Sequence, residues 1–238
     1  MKIVINPTYE GWREWIAQLP ENFAQQGKVI YDARNQIRLM QAPDGTPVCV
    51  KRFHKPAFIN RIAYTYLRAP KAERAYENAF ALLAKGIQTP EPIAYILCGE
   101  GLLKESYLVT LQSNLNRNFY EFRHHLLEGY EPIVEAFARF TADMHQKGIL
   151  HKDYSPGNIL FDVSANGHID FEVVDINRMS FNHPVPLEQA CHNFRKLWGR
   201  EDFFDLLART YARERGLNEE LCVKRTIHYW HRFWRFRK

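Results

Sequence analysis

The run His151-Lys152-Asp153-Tyr154-Ser155-Pro156-Gly157-Asn158-Ile159-Leu160 decides how this chain reads. It sets an aspartate two residues after a histidine and an asparagine five residues further on, the spacing H-x-D-x-x-x-x-N. For the aspartate and asparagine to act together the chain must turn back on itself, and Pro156-Gly157 suits such a turn. The Asp153 carboxylate and the Asn158 amide oxygen then point into one cleft, where the first can face a hydroxyl and the second can reach a metal. Three letters are weak alone, since a polar loop capping two elements would satisfy them equally. The flanking segments carry the decision.

Upstream, residues 132–147 place Ile133, Ala136, Phe137, Phe140 and Met144 at helical spacing, with Pro132 in the first turn and Gly148 as the stop. A helix should therefore end just before His151. Downstream, ILFDV (159–163) and HIDFEVV (168–174) read as strands around Ser164-Ala165-Asn166-Gly167, in which Asn-Gly is a strong hairpin signal. That hairpin returns Asp175 to the cleft of Asp153. A carboxylate there suits Mg2+, which takes oxygen ligands and keeps company with nucleotide phosphates.

The N-terminal half has a different texture. GKVIYDA (27–33), QIRLMQA (36–42) and TPVCVKRF (46–53) read as an antiparallel meander broken at Arg34-Asn35 and Pro43-Asp44-Gly45. Ala75, Ala79, Leu82 and Leu83 predict a helix over 72–85 capped by Gly86, and PIAYIL and ESYLVTL predict two more strands. The expectation is an α+β chain of two lobes: an antiparallel sheet plus helix over 1–112, and a mainly helical lobe over 113–238. Lys51 lies on the third strand, in Val48-Cys49-Val50-Lys51, where a phosphate-binding lysine would stand.

Composition fits a packed protein. Of 238 residues, 46% are apolar and 14% aromatic, which excludes intrinsic disorder. The net charge of +5 is compatible with an anionic partner without choosing one. Cys49, Cys98, Cys191 and Cys222 lack the spacing of a zinc site or a disulfide scaffold, so a reducing, cytoplasmic setting is expected. Neither an export signal nor an apolar stretch of about 18 residues is present.

Taken in order, VCVKRF, ERAYENAFALLAKGIQTPEPIAYI, HKDYSPGNILFD and VVDINRM resemble the lipopolysaccharide kinase family of bacteria, the Kdo and heptose kinases. These are relatives of RIO-type and aminoglycoside kinases in the protein-kinase-like superfamily, and the resemblance spans about residues 27–198. It implies ATP and Mg2+ as cofactors, and a sugar hydroxyl of the lipopolysaccharide inner core, Kdo or heptose, as acceptor. It further implies Asp153 as the catalytic aspartate supported by His151, Asn158 and Asp175 as metal ligands, and Lys51 as the contact to the α- and β-phosphates. Glu77, or Glu73 one turn before it, would pair with that lysine; each could equally form surface pairs with Arg74 or Lys71. Val109 to Ser113 would contact adenine.

Three features depart from the wider kinase pattern. No glycine-rich loop joins the first strands, Ile176-Asn177 stands in place of Phe-Gly after Asp175, and Ser155 stands where many protein kinases carry a lysine. With 63 residues after Asp175 and no Ala-Pro-Glu segment, a sugar or glycolipid acceptor is expected rather than a protein. A RIO-like or small-molecule kinase and a nucleotide-binding pseudokinase remain as alternatives.

Two basic stretches complete the reading. In residues 223–238, Val223, Ile227, Trp230 and Trp234 form an apolar stripe beside Lys224, His228, His231, Arg235 and Lys238. Such a helix either docks its aromatic face on the second lobe or lies on an anionic membrane surface, peripheral to the inner face. The run from Lys51 to Arg74, with its interleaved tyrosines, could meet nucleic acid, but no nucleic-acid motif supports that.

Overall fold

A computed structural model describes residues 1–33, 35–55, 68–100, 102–123 and 126–235. Most of the basic stretch after His54 lies outside these residues, as do Arg34 and Lys238. The chain divides into two compact units, Met1–Asn114 and Leu115–Lys238.

The first unit is a six-stranded sheet with a helix on each face. Its strands are β1 (Lys2–Ile5), β2 (Lys28–Asp32), β3 (Asn35–Gln41), β4 (Pro47–Phe53), β5 (Pro92–Leu97) and β6 (Ser106–Leu111), in the order β1-β5-β6-β4-β3-β2. Strand alternation sorts the side chains. Val48 and Val50 of β4 join Ile96, Tyr107 and Val109 in a core closed by Ile16 and Leu19 of α1 (Arg13–Asn22) and by Phe23. Cys49, Lys51 and Phe53 alternate to the opposite face, where Phe53 packs with Ala72 and Tyr76 of α2 (Lys71–Leu83) and with Tyr95. At the end of α2, the Ile87 amide donates to Leu82 O and Gly86 sits at φ +72°, a left-handed cap that glycine accepts without strain.

The second unit is built on α3 (Glu131–Gln146), whose buried face includes Ile133, Phe137, Ala138 and Met144. After it come the short β8 (Leu150–His151) and the hairpin β9 (Ile159–Val163) and β10 (Ile169–Val173), closed at Ser164–Gly167 as expected. Two-residue strands β7 (Arg117–Asn118) and β11 (Met179–Ser180) pair with β9 and β8. The rest is helical: α4 (Leu187–Asn193), a single 3-10 turn (Phe194–Lys196), α5 (Glu201–Arg215) and α6 (Glu219–Trp234).

The core of this unit is aromatic. Phe119 is fully buried, with ring centroids of Phe137 at 4.2 Å, Phe122 at 4.9 Å and Phe161 at 5.5 Å. The apolar stripe of α6 packs within the unit: the Trp230 ring lies 4.6 Å from Phe204, and Trp234 Nε1 donates to Leu197 O at 3.3 Å. All four cysteines are free thiols, and Cys191 and Cys222 meet at 3.7 Å where α4 packs on α6. Among the described residues no helix is long and apolar enough to cross a membrane.

Candidate active site

In the second unit, His151, Asp153, Asn158 and Asp175 are drawn together by a ladder of hydrogen bonds. The Val174 carbonyl can only accept, so His151 Nε2 donates to it at 3.0 Å; Nδ1 then accepts from the Asp153 amide at 3.1 Å. His151 is fully buried with both ring nitrogens committed to backbone, which makes it a brace rather than a proton carrier. Asn158 Nδ2 donates to Asp153 O at 2.8 Å, and the Val174 amide donates to Asn158 O at 3.0 Å. Lys152 N also donates to Arg178 O at 2.8 Å, so the loop is tied on both sides of Asp175.

The local sequence explains each turn. Gly148, at φ +71°, ends α3 with the Ile149 amide on Met144 O and sends the chain into β8. Tyr154 is buried under the loop and bonds Thr141 Oγ1 of α3 at 2.8 Å. At Gly157 a Cβ would meet the Tyr120 ring at 2.7 Å, so the turn must be glycine if that ring is to lie over it. Asp175 adopts φ +55°, an uncommon conformation for a residue with a side chain and one found at functional sites. Its carboxylate accepts from Asn177 Nδ2 at 2.7 Å, and Asn177 is itself buried. The residue that replaces glycine after Asp175 therefore orients that aspartate.

Two further contacts involve a segment that no motif or periodicity singles out. Asn193 Nδ2, at the end of α4, donates to His151 O at 2.9 Å. Lys196 Nζ pairs with Asp153 Oδ1 across 43 positions of sequence. No local pattern marks either residue, because both reach the loop only through the packing of α4.

In the first unit, Lys51 is half-buried at the middle of β4, opposite Ile37 and Leu108, with Nζ 5.1 Å from the Phe53 ring centroid. Of the two helix glutamates on that face, Glu73 accepts from Lys2 Nζ and from the Tyr95 hydroxyl, both at 2.9 Å, and Glu77 is exposed.

Oxygen donors suit a hard cation. With its amide nitrogen turned to Asp153 O, Asn158 presents Oδ1, and Asp175 presents a carboxylate. Among the described residues no three His, Cys, Asp or Glu side chains form a cage of their own. Two protein oxygens are what Mg2+ uses when water and phosphate complete its shell.

Burial sets the charge of two histidines. His145, whose Nδ1 meets the Tyr211 hydroxyl at 2.9 Å, is held down to about 3, and His151 is shifted the same way, in both cases chiefly by burial. Unfolding raises both toward the ordinary 6.5, so below that pH the unfolded chain binds protons that the folded chain refuses. Stability should be flat near neutrality and fall below pH 6.5, by about 1.4 kcal/mol per pH unit from His145, with His151 acting in the same direction. Urea unfolding between pH 7 and 5 checks this; an unchanged midpoint would contradict it.

A strand lysine on the sheet face covered by α2, and in the other unit a braced aspartate loop beside a second aspartate, define a protein-kinase-like fold. Solved structures that share it include "WaaP in complex with acyl carrier protein", at TM-score 0.63 and 20% identity over 98% of this chain and 100% of that one, and the Rio2 kinase-ADP/Mg2+-phosphoaspartate complex from Chaetomium thermophilum, at TM-score 0.51 and 14% identity over 91% and 67%. A search of the curated proteins finds no match. Residues 23–210 match the lipopolysaccharide kinase (Kdo/WaaP) family, and the chain belongs to that family. It is a kinase.

Proposed function

We propose that the protein transfers the γ-phosphoryl group of ATP to a sugar hydroxyl, Kdo or heptose, of the lipopolysaccharide inner core. The observation that supports this reading is the hydrogen-bonded ladder in which His151 accepts from the Asp153 amide and donates to the Val174 carbonyl, which ties the Asp153 loop to the residue before Asp175. Asp153 orients the hydroxyl and takes its proton. Asn158 and Asp175 hold Mg2+, which when bound offsets charge on the phosphates. Lys51 contacts the α- and β-phosphates, Glu77 is the more available partner for it since Glu73 already serves Lys2 and Tyr95, and residues 109–113 receive adenine. Membership of the family supports the acceptor class, and the Rio2 structure, which holds ADP and Mg2+, supports the cofactors.

The setting proposed is the cytoplasm, at the inner face of the membrane, where ATP and a lipid-linked sugar meet. The stripe of α6 is engaged within the unit, so a membrane would meet the cationic edge of Lys224, His228 and Arg235, through attraction rather than aromatic burial.

The test is mass spectrometry of Kdo-bearing lipid A, and of the same acceptor extended with heptose, after incubation with the protein, ATP and Mg2+. Gain of one phosphate supports the glycolipid reading. ATP turnover with other acceptors only would move it to a RIO-like or small-molecule kinase, and nucleotide binding without any turnover to a pseudokinase. In the same assay Asn177→Ala, which removes the donor to Asp175, is expected to raise the Mg2+ needed for half-maximal rate by about tenfold or more. An unchanged Mg2+ titration would count against Asp175 as a ligand.

A further inference from the structure

We propose that Lys196 is a catalytic cation of the transfer reaction, holding the Asp153 carboxylate before the acceptor arrives and meeting an oxygen of the phosphoryl group as it passes. The inference rests on the phosphotransfer reading above. Its first support is the direct pairing of Lys196 Nζ with Oδ1 of Asp153, the carboxylate to which the reading above gives the acceptor hydroxyl.

The second support is how firmly the lysine is placed. Its neighbours Phe194 and Leu197 are fully buried, and Asn193, three residues earlier, is buried and donates to His151 O at 2.9 Å. The segment that carries Lys196 is thus bonded to the same loop that carries Asp153. Its side chain and that of Asp153 are 25% and 27% exposed, open enough for a substrate to reach both.

Charge supplies the third. Phosphoryl oxygens approaching a hydroxyl that sits against a carboxylate bring like charges together, and a cation between them removes the repulsion. The catalytic loop offers Ser155, not a lysine, two residues after Asp153. Lys196 reaches the same carboxylate from outside the loop, and an ammonium has three donors, of which Asp153 takes one. In the step itself the hydroxyl proton passes to Asp153 and the acceptor oxygen bonds to the γ-phosphorus. The bond from that phosphorus to the bridging oxygen breaks and ADP leaves. Lys196 keeps its proton throughout and changes only its partner.

The experiment compares the wild type, Lys196→Met, Lys196→Ala, Asp153→Asn, the Asp153→Asn/Lys196→Met double variant, and Lys196→Met carrying Ser155→Lys. The assay uses ATP, Mg2+ and Kdo-bearing lipid A with and without added heptose, with kcat, KM for ATP and thermal midpoint measured separately. Expected is a fall in kcat of about 10²–10³-fold for both single Lys196 variants, with KM for ATP and midpoint near wild type. The double variant should be no worse than Asp153→Asn by more than about threefold, because both residues serve one step. A lysine at position 155 should return part of the lost kcat. A kcat within about threefold of wild type in the Lys196 variants, or a loss that tracks a lowered midpoint and is not rescued, overturns the proposal while leaving the phosphotransfer reading in place. No transfer by the wild type defeats that reading, and this inference with it.

Discussion

Asp153→Asn is expected to lower kcat for phosphoryl transfer by about 10²–10⁴-fold, the range that removal of a positioned general base costs. The amide keeps the size of the side chain and its backbone bonds, so the loop retains its form: His151 Nδ1 still accepts from the residue 153 amide, and Asn158 still donates to its carbonyl. What disappears is the basic oxygen. KM for ATP should therefore stay within about threefold, since uniform binding is untouched. The thermal midpoint should change little, because an ion pair at the exposure of Asp153 and Lys196 contributes on the order of 1 kcal/mol or less. Steady-state kinetics with the acceptor saturating measures both constants, and Asp170→Asn on the β9–β10 hairpin, whose carboxylate is exposed, serves as the control. Wild-type kcat in Asp153→Asn would remove this residue from the chemistry.

The largest effect on stability is expected from Phe119→Ala, at about 3–5 kcal/mol. Phe119 lies at the entry to the second unit, just after β7, yet its ring packs among residues from two helices and both strands of the hairpin. These are Phe137 on α3, Phe161 on β9, Phe171 on β10 and Phe203 on α5, with centroids between 4.2 and 6.5 Å. Truncation leaves a cavity ringed by rigid aromatic faces that cannot collapse into it, so both the lost burial and the unfilled space count. Chemical denaturation followed by near-ultraviolet circular dichroism measures the loss. A cost under about 1 kcal/mol would mean that the cluster repacks.

Where periodicity was long enough, the sequence was sufficient. Alternation in β4, the alanine-rich face of α2, the helix ending at Gly148 and the Asn-Gly hairpin all follow from patterns spanning several residues, and together they deliver Lys51 and the loop from His151 to Asp175 to their places in the two units. Residues 1–23 did not yield in the same way. β1 is four residues long and pairs with β5 some ninety positions away, and α1 offers only Ile16 and Leu19 as buried positions and carries Pro20 within it. That gap had a consequence at the glutamates: Lys2, the residue that occupies Glu73, belongs to the unread strand. β7, β8 and β11 are two residues each, too short to carry a period. Asn193 and Lys196 were hidden for a different reason, since their partners are set by how α4 packs and not by any local spacing.

The ring of Tyr120, half exposed and laid over Gly157, stands 4.7 Å from the indole of Trp198, two residues beyond Lys196, and the Arg123 guanidinium lies 4.4 Å from that indole. The chain thus carries its own optical probe beside the turn that joins Asp153 to Asn158. Indole emission is sensitive to neighbouring charge, so a shift in the 157 turn or in the Lys196 segment will alter fluorescence without any label. Trp198→Phe provides the blank against which the signal from Trp12, Trp15, Trp230 and Trp234 is subtracted. Stopped-flow recording of that difference would time events at the catalytic loop separately from the release of product.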